Sequence, residues 1–322
     1  MHQVSGSCSC VKENVNSVAF GETIRRGYVC SPLNYIGGKF KILPQLLPLF
    51  PKRIHTFVDL FCGGCNVGIN VRAKKTVFND NLSYLIDLYN VFNLLENFEI
   101  INHIESRIRE FNLSLDNAEG YLNLRQQYNT ERNPLDLFVL VAYSFNHQIR
   151  FNNSHEFNNP FGRDRSSFNP KMKSNLCSFL NALHSKDVEF TCSNFDEFDF
   201  QSYTENDFIY CDPPYLITTG TYNDGKRGFT GWNSSEEKKL LDILSGLNER
   251  GIKFGLSNVL IHKGKQNDIL IQWAAAHQFH ITHLHKNYAN SNYHTIDRDL
   301  SSTDEVFITN YKPQQTQLIL DF

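Results

Sequence analysis

In the stretch TFVDLFCGGCNVG, Thr56–Gly68, an apolar run of strand length meets a turn built on two consecutive glycines. Thr56 to Leu60 reads as a short buried strand, FCGGCNVG as a glycine-rich turn, and Val67 onward as a helix. That order lets backbone approach a nucleotide-like ligand, although many α/β proteins use glycine there only for packing. Next, TVFN (Thr76–Asn79) reads as a second strand ending at Asp80. An acid in that place either binds ribose hydroxyls or caps the following helix. From Leu82 to Leu95 apolar residues recur with a period near 3.6, which predicts an amphipathic helix.

Upstream, NYIGGKFKILPQLLPLFP, beginning at Asn34, reads as a glycine turn followed by an apolar helix. Downstream, strand signals vanish between about residues 97 and 184. Helical patterns take their place over Ile100–Phe111, Ala118–Tyr128, Pro134–Phe145 and Pro170–Leu183, the third opened by an Asn133-Pro134 cap. Between the last two lies NHQIRFNNSHEFNNPFGRDRSSFNP (146–170), which has no periodicity and is dense in Asn, Phe and Arg. A long irregular segment of this kind is functional or disordered, and its aromatics argue against disorder.

Strands then resume at Val188–Cys192, Asp207–Cys211 and Ile252–Leu256, with a helix capped by Ser235 that runs through Arg250 and stops at Gly251. Strand candidates Phe279–Leu284 and Glu305–Asn310 follow without a clear helix between them, predicting an antiparallel finish. The sum is an α/β fold: a Rossmann-like, mostly parallel sheet with an antiparallel C-terminal strand, interrupted by a helical insertion.

Composition narrows the class. The chain has 322 residues, 41% of them hydrophobic and 20% charged, with 18 glycines, 10 prolines and no repeat, which excludes collagen, solenoids and wholesale disorder. No apolar run reaches the roughly 18 residues that span a bilayer; Leu137–Tyr143 is the longest candidate. The start lacks a basic-then-apolar leader, so no membrane partner is expected and the expected location is the cytoplasm. Net charge is only −3. Its distribution is uneven: Glu22–Arg53 carries six basic residues against one acid, and Arg150, Arg163, Arg165, Lys171 and Lys173 form a second basic stretch, whereas Lys186–Asp212 carries eight acids. A basic face could meet an anionic polymer, and charge runs also serve simply as solvated surface.

Eight cysteines suggest neither a disulfide framework nor a zinc site. Cys62 and Cys65 form a lone CxxC, Cys8 and Cys10 lie in a Ser-rich tail, and no secretion signal accompanies them. His277, His280, His283 and His285 read as a half-exposed strand rather than a metal site. No metal is expected.

The sharpest chemical feature is Asp212-Pro213-Pro214-Tyr215, directly after the apolar strand FIYC. It stands at the carboxyl end of a strand, where open α/β sheets bind ligands. Two prolines fix an extended backbone and remove two N–H donors. An acid and a proline carbonyl can accept both hydrogens of one exocyclic amine, while Tyr215 offers a flat face to a base. The blander reading is a rigid turn carrying an exposed acid.

Taken in order, NYIGGK (Asn34–Lys39), FVDLFCGGCNVG, FNDN (Phe78–Asn81), RFNNSHEFNNPFGR (Arg150–Arg163), DPPY, GLSN (Gly255–Asn258) and EVFITNY (Glu305–Tyr311) resemble the alpha-group, Dam-like DNA adenine-N6 methyltransferases that use S-adenosylmethionine. The resemblance covers nearly the whole chain beyond the N-terminal tail. It implies a catalytic Asp212, Pro213, Pro214 and Tyr215. It also implies S-adenosylmethionine as cofactor, held by Tyr35, Lys39, Asp59, Phe61, Gly63, Gly64, Asp80, Asn194, Phe195 and Asp212. Cys65 stands where the family's FxGxG pattern usually has its second glycine, and Asn194 where an Asp is frequent.

On this reading residues 1–30 are a disordered tail, 31–96 and 185–322 form the catalytic unit, and 97–184 form a helical target-recognition unit. Arg150, Asn152, Asn158, Pro160, Arg163 and Arg165 are the residues assigned to double-stranded DNA, with FNNPFG read equally as a hinge that shapes the loop. The implied reaction is site-specific methylation of a flipped-out adenine, in an orphan enzyme or in a restriction-modification system whose endonuclease is a separate chain. An RNA or protein methyltransferase and a non-catalytic DNA-binding regulator are the competing readings. A nicotinamide oxidoreductase is disfavoured, since the turn lacks GxGxxG.

Overall fold

The computed structural model describes residues 27–218, 232–284 and 303–313. The tail up to residue 26, with Cys8 and Cys10, and His285 lie outside the described residues. The elements follow in the order α1 (Leu43–Leu46), β1 (Thr56–Asp59), β2 (Lys75–Asp80), α2 (Ser83–Leu94), α3 (Asn97–Glu110), α4 (Ala118–Glu131), α5 (Pro134–Tyr143) and α6 (Pro170–His184). Then come β3 (Val188–Cys192), β4 (Phe208–Cys211), α7 (Ser234–Glu249), β5 (Lys253–His262), β6 (Lys265–Gln266), α8 (Asp268–Ala276), β7 (His280–Leu284) and β8 (Thr303–Thr309).

One sheet runs in the order β3-β2-β1-β4-β5-β8-β7, with the short β6 paired to β5. The pairs from β3 through β5 are parallel, and β8 is antiparallel to both β5 and β7. β1 and β4 are buried at every residue, as central parallel strands are, with an apolar run in FIYC and the pair Phe57-Val58 at the centre of TFVD. Alternate residues divide between two cores. Val58, Val77, Ile209, Phe254 and Ile308 pack with α7 and α8. On the other face Phe57, Phe208, Tyr210 and Phe307 pack with the 42–54 segment, where the Phe50 ring lies 4.8 Å from Phe208 and 5.5 Å from Tyr210. Gly255 in β5 is required there, because a Cβ would strike the Phe307 ring.

The insertion is not packed apart from the sheet. Leu176, Phe179, Leu180 and Leu183 of α6 share one buried cluster with Phe78 of β2, with Leu85, Leu88 and Tyr89 of α2, and with α5. α5 is buried all round, which explains why its sequence is apolar on every face.

Local differences from the sequence expectations have local causes. No helix follows Val67; a single 3-10 turn, Gly68–Asn70, leads into extended chain at Val71. Asn70 holds it, its Oδ1 accepting from Val29 N at 2.8 Å and its Nδ2 donating to Val29 O and Asn66 O. The segment after Lys39 is a chain of short turns around α1 rather than one helix, as Pro44 and Pro48 each remove an amide donor. Asn233, not Ser235, caps α7, its Oδ1 accepting from Ser235 N at 2.7 Å. α8, capped by Asn267, lies between Leu256 and Phe279, a stretch to which the sequence reading assigned no element. β5 continues past Leu256 to His262 along β8.

Candidate active site

The strand order reverses between β1 and β4, so the crevice outside their carboxyl ends is the switch point at which such sheets take ligands. Asp59 ends β1, and Asp212 immediately follows β4. Lys39 Nζ is 2.6 Å from Asp212 Oδ2, with side chains only 4% and 17% exposed. Lys39 also donates to Gly37 O at 3.1 Å, held by the turn that Gly37 makes at φ +83°. Tyr215 OH donates to Asp212 Oδ1 at 3.0 Å and lies 3.3 Å from Glu305 Oε1. Lys39 Nζ sits 5.0 Å from the Tyr215 ring centroid. Burial lifts the Asp212 carboxyl above its ordinary range against the opposing pull of Lys39, and burial beside Asp212 and Glu305 raises the Tyr215 phenol well above its own. Pro213 is buried between these groups in sequence, and Pro214 is exposed.

The glycine loop forms the adjoining wall. Gly63 takes φ +45°, and a Cβ on it would come within 2.7 Å of the Tyr35 ring; one on Gly64 would meet Tyr35 Cβ at 3.0 Å. Tyr35 therefore lies directly over both glycines. Cys65 adopts φ 56°, the left-handed conformation that glycine takes without a Cβ clash, and this accounts for glycine being usual at that place in the pattern. Asp80 bridges the two segments: Oδ2 accepts from Gly63 N at 3.0 Å, and Oδ1 accepts from Leu82 N at 3.1 Å just before α2, although no side chain caps that helix. Asp59 Oδ2 accepts from Gly68 N at 3.0 Å, and burial pushes its carboxyl up to about 7.

Past the ends of β1 and β3, Phe61 and Phe195 meet Trp232 in an aromatic group. Phe61, Phe195 and Trp232 have centroids 5.4 to 5.8 Å apart. Trp232 Nε1 donates to the buried Glu237 at 2.6 Å, and Glu237 also accepts from Asn258 and Asn267. Asn194 is exposed and accepts from Asn81 Nδ2 at 3.2 Å. Sequence reasoning missed Glu305 and Trp232 as site residues. The signal for Glu305 was an acid opening an otherwise apolar strand, VFIT; for Trp232 it was an indole next to a helix cap.

The residues assigned to DNA lie on the irregular segment. Phe151 and Phe157 pair across a hairpin. Asn152 is turned into that hairpin, its Oδ1 accepting from Ser154 N and Glu156 N and its Nδ2 donating to Glu156. Asn158 N donates to Arg150 O at 3.0 Å, and the Asn158 amide is half-buried. Arg150, Pro160, Arg163 and Arg165 are exposed, with the Arg165 guanidinium 5.3 Å from the ring of exposed Phe145. Two contacts tie the segment to the site: Asn34 Nδ2 donates to Asn146 O at 3.0 Å, and Tyr84 of α2 stacks on Phe151 at 4.1 Å.

The late histidines do not converge. His283 pairs with Asp304 at 2.7 Å, and His277 lies against Ser245. Among the described residues no group of three His, Cys, Asp or Glu side chains is arranged to hold a metal ion. No helix among them is long and apolar enough to cross a membrane.

Comparison with known proteins agrees with this geometry. A family profile for D12 class N6 adenine-specific DNA methyltransferases matches residues 35–293, most of the chain, including the segments that carry Lys39, Asp59, Asp80 and Asp212.

The chain belongs to the D12 class of N6 adenine-specific DNA methyltransferases.

It is 50% identical over 94% of its length to the type II methyltransferase M.FokI of Planomicrobium okeanokoites, and 50% identical over 95% to the modification methylase StsI of Streptococcus sanguinis. It is 28% identical over 70% of its length to the DNA adenine methylase of Escherichia coli K12, covering 79% of that protein. The chain spans about half the length, 46%, of M.FokI and StsI. The resemblance of this D12 chain to the Dam-like group therefore holds at the level of family, and the expected mixed α/β fold is the one observed.

Proposed function

We propose that this D12 chain transfers a methyl group from S-adenosylmethionine to the N6 amine of an adenine in a short sequence of double-stranded DNA. The observation that carries the reading is the Lys39–Asp212–Tyr215 cluster at the switch point, in a chain of this family.

The residues present suit the cofactor. Three carboxylates, Asp59, Asp80 and Asp212, gather near the strand ends, a setting that favours a cationic ligand. The Gly63–Gly64 backbone and Asp80 offer groups for a ribose, and Phe61, Phe195 and Trp232 offer aromatic surface for a purine. When bound, S-adenosylmethionine supplies an already activated methyl group, so no covalent enzyme nucleophile is needed. Asp212 and the Pro213 carbonyl accept the two hydrogens of the target amine and orient its lone pair. As positive charge grows on that nitrogen, the Asp212 carboxylate stabilises it. Extracting the base from the duplex costs a few kcal/mol, and stacking on Tyr215, worth about 1–3 kcal/mol per base, offsets much of it.

Residues 97–184 act as the target-recognition unit, with Arg150, Arg163 and Arg165 on phosphates or guanine edges, and residues 31–96 and 185–322 as the catalytic unit. The names of M.FokI and StsI support a modification role, with an endonuclease cutting unmethylated copies of the same site. A substrate of cellular DNA implies action in the cytoplasm.

The test is single-molecule sequencing of DNA from a methylation-free host expressing this chain, beside an Asp212→Ala control. Methylated adenines in one short motif, absent from the control, are expected. Unmodified DNA from cells containing folded, cofactor-binding protein would reject the reading and direct attention to RNA or protein substrates.

A further inference from the structure

Two hydrogen-bond donors are shared between two buried carboxylates. Lys39 Nζ is 2.6 Å from Asp212 and 3.9 Å from Glu305 Oε1, and Tyr215 OH is 3.0 Å from Asp212 and 3.3 Å from the same Glu305 oxygen. Glu305 reaches this place because β8 is antiparallel to β5: the first residues of β8, not its last, arrive at the ligand-binding end of the sheet, where Glu305 pairs with Val259. Its side chain is 3% exposed, in a strand otherwise apolar over VFI. A carboxylate in such a strand is costly unless paired.

In the arrangement observed, Asp212 is fully engaged. Lys39 covers Oδ2 and Tyr215 covers Oδ1, so the charge that should meet an amine is already neutralised. Yet the alternative acceptor lies beside both donors.

We propose that Glu305 is a positioning residue that takes over Lys39 and the Tyr215 hydroxyl while Asp212 receives the target amine. The proposal rests on the methyl-transfer reading above. Lys39 moves from one carboxylate to the other without leaving the site, so Asp212 gains its full charge and the cluster of Lys39, Asp212 and Glu305 keeps a net charge of −1 throughout. Proton count is unchanged by the exchange, as Lys39 stays an ammonium. Glu305 touches neither substrate nor cofactor in this scheme; it acts by where it holds Lys39.

The experiment measures cofactor affinity and single-turnover methyl transfer to duplex DNA for the wild-type chain, E305Q, K39M and the K39M/E305Q pair. E305Q preserves shape but not charge, so Lys39 stays on Asp212: cofactor affinity should hold within about twofold while the transfer rate falls about tenfold. K39M leaves two buried carboxylates side by side and should be the slowest. The double variant restores a net charge of −1 and should exceed K39M by about tenfold, a coupling that a merely structural Glu305 would not produce. If K39M does not fold, the split in E305Q between held cofactor affinity and slowed transfer carries the test. E305Q at the wild-type rate, or losses that simply add in the double variant, would overturn the role of Glu305 while leaving the methyltransferase reading intact. A wild-type chain that transfers no methyl group to DNA would overturn both.

Discussion

The amide of Gly63 donates to Asp80 Oδ2 at 3.0 Å, so the loop after β1 and the acid that ends β2 form one hydrogen-bonded unit. Replacing Asp80 with Asn keeps one acceptor but removes the charge that two backbone amides share. Stability should fall by about 1–3 kcal/mol, the range for hydrogen bonds to charged groups and the groups left behind. Cofactor affinity measured by titration calorimetry should drop at least about tenfold; unchanged affinity would remove Asp80 from the ribose-binding role.

Asp59 should make cofactor binding depend on pH. Its folded carboxyl is lifted to about 7 by burial, from an ordinary value near 4 in the unfolded chain. The folded state thus binds the extra proton, and this group's contribution to stability declines as pH rises from about 4 to about 7, then levels off. A cationic ligand favours the carboxylate. Affinity should therefore rise as pH increases through 7, and calorimetry near pH 6.5 in two buffers of different ionisation enthalpy should detect proton release. Asp59→Asn should flatten both effects, and an identical pH profile in that variant would assign them elsewhere.

Phe151 stacks on Tyr84 and is 3% exposed, at the base of the hairpin it forms with Phe157. Phe151→Ala should cost about 3–5 kcal/mol, as large aromatic truncations in cores do. Below its melting temperature the variant should keep cofactor affinity and lose DNA affinity. A parallel loss of both would mean that the stack supports the whole fold rather than the hairpin.

Arg163 and Arg165 are exposed, and Arg165 is braced on Phe145. If either contacts a phosphate, its replacement by Ala should weaken binding to all duplexes alike and reduce the slope of log affinity against log salt by about 1. A base-contacting arginine would instead change which sequence is methylated. Binding curves at several salt concentrations separate the two, and unaltered affinity and sequence preference would place these side chains outside the interface.

The central strands were legible because TFVDL and FIYC are short, apolar-rich stretches bounded by turn residues, as strands buried on both faces are. Asp212 and Asp80 were legible as strand-end acids, and Tyr35 and Lys39 through family resemblance. What the sequence concealed depended on partners distant along the chain. Asn70 bonds to Val29, and this diverts the backbone from the helix that Val67 onward suggested. Asn233 rather than Ser235 begins α7, a difference of two residues that only the side-chain geometry resolves. Glu305 comes to Tyr215 across 90 positions, through the register of an antiparallel strand inserted between two others. Periodicity carries no information about that register.

Because α6 and α2 fill one buried cluster together with Phe78 and α5, residues 97–184 are not a detachable cassette. Grafting that segment from a relative would bring half of a foreign hydrophobic core against a host face shaped for another set of side chains. If residues 146–169 read DNA as proposed, new target sequences are more readily acquired by point changes at their exposed arginines, which stand clear of the core. On the proposed reading, a change of specificity would therefore fall to a short stretch of loop rather than to the helices behind it, which share their core with the sheet.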